Sequence, residues 1–356
     1  MQKIITTIIL LFLLHQLHAQ DNSAFKLFLV GDAGENQLTG ATLDSLKNKL
    51  LDNPNSAVVF LGDNSYKKIL WVFPGFKGFD SSQVTQKKIL SQLSILNNYH
   101  GSVYFVPGNH DWWNTKNFEK GKRKLKMEES FIEAILKENT TIKNPDTTSF
   151  LPSNGNPGPA FTELDNERVR IIFIDTEWFL LLGFKKTPAE NILLEKNFYQ
   201  NLDSILADSK RKGQRVIVTG HHPLFSEGPY AKALKHPDLF KRIKYSYMAS
   251  TPYKSMIKQL NGILEKYPGI YYACGHVHAL QYFTNNGVNY IVSGSGSKTI
   301  HISKKKSDKA ETCSQDRCIV WNEQGFFEMD FSNSKEKVIM YHLEKGNMSL
   351  SKKIIR

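Results

Sequence analysis

Residues 57–66 read Ala57-Val58-Val59-Phe60-Leu61-Gly62-Asp63-Asn64-Ser65-Tyr66: five apolar residues, a glycine, then polar groups. Short apolar runs without polar alternation read as strands buried on both faces. The glycine lets the chain turn sharply where the strand ends. The same arrangement recurs four times. Phe25-Lys26-Leu27-Phe28-Leu29-Val30 leads into Gly31-Asp32-Ala33-Gly34, and Val103-Tyr104-Phe105-Val106-Pro107 into Gly108-Asn109-His110-Asp111. Val216-Ile217-Val218-Thr219 leads into Gly220-His221-His222-Pro223, and Ile270-Tyr271-Tyr272-Ala273-Cys274 into Gly275-His276-Val277-His278.

Between these runs, residues 38–51, 82–96, 122–138, 189–209 and 255–266 carry helical spacing. Strand, polar turn and helix in repetition predict an α/β protein. Ligands in such sheets gather beyond the carboxyl ends of the strands. A sixth buried run, Ile171-Ile172-Phe173-Ile174, ends in Asp175-Thr176 without a metal-type cluster. After Gly294 the texture changes. Phe326-Phe327-Glu328-Met329-Asp330-Phe331 and Lys337-Val338-Ile339-Met340-Tyr341-His342-Leu343 predict an antiparallel hairpin on a second sheet. Nothing between reads as a linker, so residues 21–356 are expected to form a single domain.

The chain has 356 residues, 40% of them apolar, and carries 46 Lys+Arg against 34 Asp+Glu, a net charge of +12. That composition supports a sizeable core and excludes a mainly disordered chain. No apolar stretch is long enough to span a membrane, and no fixed-period repeat is present. Residues 1–20 have the layout of a secretory signal peptide: basic Lys3, an apolar run from Ile4 to Leu14, and Ala19 before polar Asp21. The expected location is therefore periplasmic or secreted. In an oxidising compartment Cys313 and Cys318 could pair, whereas Cys274 ends an apolar run and reads as a buried thiol.

Singly, each polar turn has an ordinary explanation, such as an aspartate capping the next helix. Jointly, five strand ends are expected to bring Asp32, Asp63, Tyr66, Asn109, His110, His221, His222, His276 and His278 to one rim of a sheet. Two Asp, one Tyr, one Asn and three of the His make a ligand set for two metals, with Asp63 shared. Oxygen donors suit a hard cation and imidazoles suit Zn, Fe or Mn. Two metals about 3.5–4 Å apart are a clamp for in-line attack on a phosphoryl group.

In order, the blocks Gly-Asp-Ala-Gly, Gly-Asp-Asn-Ser-Tyr, Gly-Asn-His-Asp, Gly-His-His-Pro and Gly-His-Val-His resemble those of the calcineurin-like metallophosphoesterases. Within these the chain looks like a purple acid phosphatase, especially the small tartrate-resistant type. Gly34 stands where many relatives carry histidine, and Tyr66, three residues after Asp63, marks the purple branch. The resemblance runs from about residue 24 to the C-terminal hairpin. It implies a four-layer α-β-β-α sandwich of two mixed β-sheets. It also implies that Asp32, Asp63, Tyr66 and His278 bind ferric iron. Asp63 would bridge to a divalent ion (Fe, Zn or Mn) held by Asn109, His221 and His276. His110 would stand beside the pair and stabilise the phosphate or protonate the leaving oxygen. Asp111 would orient it or cap a helix.

The implied activity is hydrolysis of phosphate monoesters, on small molecules or proteins, by attack of a metal-activated hydroxide on phosphorus. A phosphodiesterase or nucleotidase would share the metals and differ in its loops. A catalytically silent binding protein would be expected to lack ligands, and here all seven are present. Two departures bear on substrate choice. The tartrate-resistant type has a further histidine after Gly-His-x-Pro, where this chain has Ser226-Glu227-Gly228-Pro229; His222 is the candidate to replace it. Residues 112–160 are also longer than the resemblance suggests, with basic Lys122, Arg123, Lys124 and Lys126 and a Pro/Gly/Asn loop. No nucleic-acid module accompanies that charge, so a solvated helix face is expected. Tyr230, Tyr245, Tyr247 and Tyr253 line the cleft or pack it.

Overall fold

A computed structural model of the chain describes residues 24–35, 40–66, 83–113, 117–144, 148–182, 189–227, 250–300, 311–314, 316–332, 336–344 and 350–355. The leader over 1–20, Gly228-Pro229, Tyr230, Tyr245 and Tyr247 lie outside the described residues. Among the described residues, fourteen strands form two sheets. The first holds β1 (Lys26–Val30), β2 (Ser56–Phe60), β3 (Ser102–Phe105), β12 (Gly325–Asp330), β13 (Lys337–Leu343) and β14 (Leu350–Ile354), in the order β14-β13-β12-β1-β2-β3. The second holds β4 (Ala160–Leu164), β5 (Val169–Phe173), β6 (Arg215–Thr219), β7 (Tyr271–Cys274), β8 (Leu280–Asn285), β9 (Val288–Ser293), β10 (Glu311–Ser314) and β11 (Arg317–Val320). Its order is β10-β11-β8-β9-β7-β6-β5-β4. Both sheets are mixed: β1, β2 and β3 run parallel, as do β5, β6, β7 and β9, and antiparallel strands flank each set.

Alternation along the strands builds the layers. On β1, Leu27 and Leu29 point into one core with Val59, Ile171, Phe173, Ile217 and Phe327, drawn from both sheets and from no helix. Phe28 and Val30 point the other way, into a core shared with helix residues such as Leu43, Leu46, Leu202 and Leu206. The sandwich is therefore α-β-β-α. Truncating a fully buried leucine of either core to alanine costs about 2–5 kcal/mol.

The helices are α1 (Ala41–Leu51), α2 (Gln83–Ser94), α3 (Phe118–Glu138), α4 (Thr176–Leu182), α5 (Ala189–Lys212) and α6 (Thr251–Leu264). In α1 the buried Leu43, Leu46 and Leu50 fall on one stripe at helical spacing. Asn117 caps α3 by accepting the Lys120 N–H at 3.0 Å. Arg123 and Lys126 lie on its exposed side. Ser250 caps α6, and Tyr253 packs within the core while its hydroxyl donates to the Pro223 carbonyl at 2.8 Å.

Two expectations are corrected. The C-terminal hairpin is not a second sheet, because β12 pairs antiparallel with β1 (Leu27 opposite Met329) and extends the first one. The five cluster-bearing strands also do not share one sheet: β1, β2 and β3 lie in the first, β6 and β7 in the second. Several strands were not foreseen, among them β8 and β9, joined through Asn286-Gly287 at φ 48° and 79°, a turn pair that favours a tight hairpin. Cys313 and Cys318 stand opposite each other on β10 and β11 and form a disulfide, and Cys274 is buried. Among the described residues no helix is long and apolar enough to cross a membrane.

Candidate metal centre

The turns after β1, β2, β3, β6 and β7 meet where the carboxyl ends of the two sheets face each other. Backbone hydrogen bonds stitch them together: Asp32 N donates to Gly62 O at 3.0 Å, Gly31 N to Ser293 O at 2.7 Å, and Gly275 N to His221 O at 3.0 Å. Three non-glycine residues here occupy the left-handed region: Asp32 at φ 57°, Asp63 at 53° and His276 at 66°. Each such conformation costs about 1–3 kcal/mol and persists only where its surroundings enforce it. Two glycines make room. A Cβ on Gly62, itself at φ 86°, would lie 2.6 Å from His221 Nδ1. A Cβ on Gly34 would lie 2.5 Å from the Asp63 carbonyl, so no side chain fits there. The Tyr66 phenol enters the cluster instead.

On one side, Tyr66 Oη donates to Asp32 Oδ1 at 2.6 Å and lies 3.1 Å from His278 Nε2, which is 3.3 Å from Asp32 Oδ1. On the other, Asn109 Oδ1 is 3.0 Å from both His221 Nε2 and His276 Nδ1, and the two nitrogens are 3.3 Å apart. Asp63 stands between the halves. Its Oδ1 lies 3.3 Å from His221 Nε2, and its side chain is also bonded to Tyr66. Asp32, Asp63 and His221 are almost wholly buried.

The donor chemistry fits cations. His221 Nδ1 lies 2.8 Å from the Leu61 carbonyl, which can only accept, so Nδ1 carries a hydrogen and Nε2 is the nitrogen left to take a proton or a cation. Nε2 faces the oxygens of Asn109 and Asp63. Electron pairs aimed at one point repel unless a proton or a cation sits among them. The local field favours positive charge: burial opposes a charge on His221, yet Asp63 outweighs it and pushes the imidazole up to about 9. Burial, then Asp32 and Asp63, hold the Tyr66 phenol well above its usual range, so a phenolate there requires a cation. Among the described residues, Asp32, Asp63 and His221 form one set of metal-type ligand atoms within 4.8 Å of one another, and His221, His222 and His276 form another.

The remaining expected residues surround this cluster. His110 donates its backbone N–H to Asp63 Oδ1 at 2.8 Å, and its ring stands 4.5 Å from that of Tyr66 with 32% of the side chain exposed. Asp111 is fully buried. Its oxygens accept from Ser65 N (3.2 Å), Gly108 N (2.8 Å) and Asn64 Nδ2 (3.1 Å). It thus ties the Asp63 turn to the Asn109 turn. His222 is fully buried, with its ring 4.4 Å from that of His276.

Sequence reasoning missed Thr176. Its Oγ1 accepts the N–H groups of His221 (3.2 Å) and His222 (3.0 Å) and lies 2.8 Å from His222 Nδ1. With both lone pairs engaged, the hydroxyl donates to Nδ1, which leaves the hydrogen of His222 on Nε2, 3.5 Å from Glu177 Oε2. The available signal was position: Asp175-Thr176 ends a sixth buried strand at the same rim.

Comparison with known proteins agrees with this geometry. The sequence profile of the calcineurin-like phosphoesterases matches residues 25–294. Tartrate-resistant acid phosphatase type 5 of Oryctolagus cuniculus is 34% identical over 92 residues, covering 26% of this chain and 22% of that protein. The Homo sapiens protein of the same name is 33% identical over 82 residues, covering 23% and 19%. The match thus spans about a fifth of the length of these relatives. Among solved structures, GAP50, described as the anchor in the inner membrane complex of Plasmodium, superposes with a TM-score of 0.54 at 17% identity. That match covers 94% of this chain and 90% of GAP50, a likeness of fold. Profile, fold and the order of the five turns agree: the chain belongs to the calcineurin-like phosphoesterase family.

Proposed function

We propose that the chain is an exported phosphatase that hydrolyses phosphate monoesters at a centre of two metal ions. The observation that carries this reading is the convergence on Asp63 of electron pairs from Asp32, Tyr66 and His278 on one side and Asn109, His221 and His276 on the other. The harder set, two carboxylates and a phenol, suits ferric iron; the amide and two imidazoles suit divalent Fe, Zn or Mn. When bound, the two cations would supply Lewis acidity toward the phosphoryl oxygens and toward a nucleophilic water.

The protein's own groups do the rest. Leu61 O fixes the His221 tautomer, and His110 N holds Asp63 Oδ1 in place. The His110 ring hands a proton to the leaving oxygen or a hydrogen bond to the phosphoryl group. Asp111 acts as a positioning residue, through the Asn64, Ser65 and Gly108 bonds, and His222 positions His276 from behind. We read residues 21–356 as one domain, since both cores draw on the same strands. A single cooperative unfolding transition is expected. Export predicts that the secreted protein begins near residue 21.

The test is turnover of a plain aryl phosphate against a bis-aryl phosphodiester, with metal analysis of the same preparation. The reading expects about two metals per chain, iron among them, and a preference for the monoester. Preference for the diester would instead establish a phosphodiesterase, and one zinc with no hydrolysis would refute both.

A further inference from the structure

Tyr66 is bracketed by a charged assembly that the metal cluster does not use. Lys298 Nζ lies 3.1 Å from the centroid of the Tyr66 ring and 3.1 Å from Glu35 Oε1. The other Glu35 oxygen accepts from Lys88 Nζ at 2.8 Å, and Lys88 also donates to the Tyr66 carbonyl at 3.0 Å. One carboxylate thus serves two ammonium groups, leaving a surplus positive charge. Lys88 is 7% exposed, so the buried cation takes the closer share of Glu35. Lys298, with 30% of its side chain exposed, carries the surplus at the rim.

The segment bearing Lys298 is built rather than draped. Gly296 N donates to Gly31 O at 3.0 Å, Glu35 N to Ser297 Oγ at 3.1 Å, and Ile300 N to His278 O at 2.8 Å. Ser297 Oγ donates to the Asp32 carbonyl, and Gln324 Nε2 holds Ser297 O at 2.7 Å. The loop is therefore tied to the turns that carry Asp32 and His278. The same Tyr66 ring is met by His110, so Lys298 and His110 stand around one phenol at the mouth. An ammonium has three donors. Glu35 takes one and the ring face faces another, which leaves donor capacity for an incoming anion. An aromatic face also attracts a cation without neutralising it.

We propose that Lys298, held over Tyr66 by Glu35, is a specificity residue that binds the non-reacting oxyanion of a phosphate monoester dianion. This deepens the monoester reading and rests on it. A monoester dianion carries one more negative charge than a diester, so a fixed cation beside the centre favours the monoester. Lys88 sets the geometry by keeping Glu35 in place.

The test uses metal-loaded wild type, Lys298→Gln and Lys298→Arg, each checked for metal content. Two quantities are read: the Kd for inorganic phosphate by calorimetry, and kcat/KM for an aryl monoester relative to a bis-aryl diester. Lys298→Gln is expected to weaken phosphate about 10-fold and to lower the monoester-to-diester ratio about 10-fold, chiefly through KM, about 1.4 kcal/mol of charge recognition. Lys298→Arg is expected to recover most of both. Phosphate affinity within 2-fold of wild type in a Lys298→Gln protein with normal metal content would overturn the inference. So would a change confined to the colour of the centre, which would assign Lys298 to Tyr66 alone. If wild type hydrolyses neither ester yet binds phosphate in a Lys298-dependent way, the monoester reading fails while the anion contact stands.

Discussion

His221 Nδ1 lies 2.8 Å from the main-chain oxygen of Leu61, and this one contact between the sheets decides which nitrogen faces the centre. The carbonyl belongs to the turn that also carries Asp63, so the bridging carboxylate and the imidazole are fixed by the same backbone. Gly62 makes the approach possible, since a Cβ there would lie 2.6 Å from that nitrogen.

Gly62→Ala should therefore unseat His221 without touching any ligand side chain. Elemental analysis is expected to show bound metal falling from about two ions to about one, with the secondary structure retained by circular dichroism. Full metal occupancy in the variant would mean that the Leu61 contact does not set the ligand geometry.

A phenolate on ferric iron absorbs visible light, so the iron-loaded protein should be coloured and Tyr66→Phe should bleach it. Absorption spectra of the two proteins at matched iron content decide this. A colourless wild type fully loaded with ferric iron would remove Tyr66 from the ligand set.

His110→Ala separates binding from chemistry. Metal content should stay intact while turnover falls about 10²–10⁴-fold, the usual worth of a positioned acid–base group. The loss should shrink for esters with good leaving groups, which need little protonation. Normal turnover per folded molecule would leave His110 with a purely structural part.

Away from the centre, Arg170 on β5 is 2% exposed and binds Glu163 on β4 and Asp208 on α5. Hydrogen bonds from Arg170 first, then from Gln214, pull the Glu163 carboxyl down to about 2. A carboxyl depressed by folding stabilises the fold above its unfolded pKa of about 4.3 and loses that contribution as pH falls toward its folded value. The melting-temperature gap between wild type and Glu163→Gln should therefore narrow on going from about pH 5 to about pH 2.5. A gap independent of pH would show that the Glu163 charge does not contribute. Arg170→Ala, which removes the partner of Asp208 and Ser209 as well as of Glu163, should lower the denaturant midpoint further than Glu163→Gln does.

Much of the centre was legible because each apolar run ended in its own glycine and its own ligand-type residues, so Asp63, Asn109 and His221 declared themselves locally. The sheet that each strand joins was not legible. Leu27 pairs with Met329 through edge hydrogen bonds, and no local pattern encodes a partner that distant. Thr176 was illegible for another reason: Asp-Thr at a strand end is ordinary capping chemistry. Only the folded chain shows its hydroxyl meeting three groups of the His221-His222 turn. Lys298, in a Gly/Ser loop, reads as a solvated charge until Tyr66 is seen beneath it. His222 was legible as a residue but not in its direction, since neighbouring histidines on a turn point to different sides.

The direction of His222 matters for the metals, because His221, His222 and His276 also bring ligand-type atoms within 4.8 Å of one another. Anomalous diffraction from crystals of metal-loaded protein, collected above and below the iron edge, locates the ions directly. Two peaks are expected about 3.5–4 Å apart with Asp63 between them, the iron peak on the side of Asp32, Tyr66 and His278. A single peak seated among His221, His222 and His276, with nothing beside Tyr66, would contradict the two-metal centre.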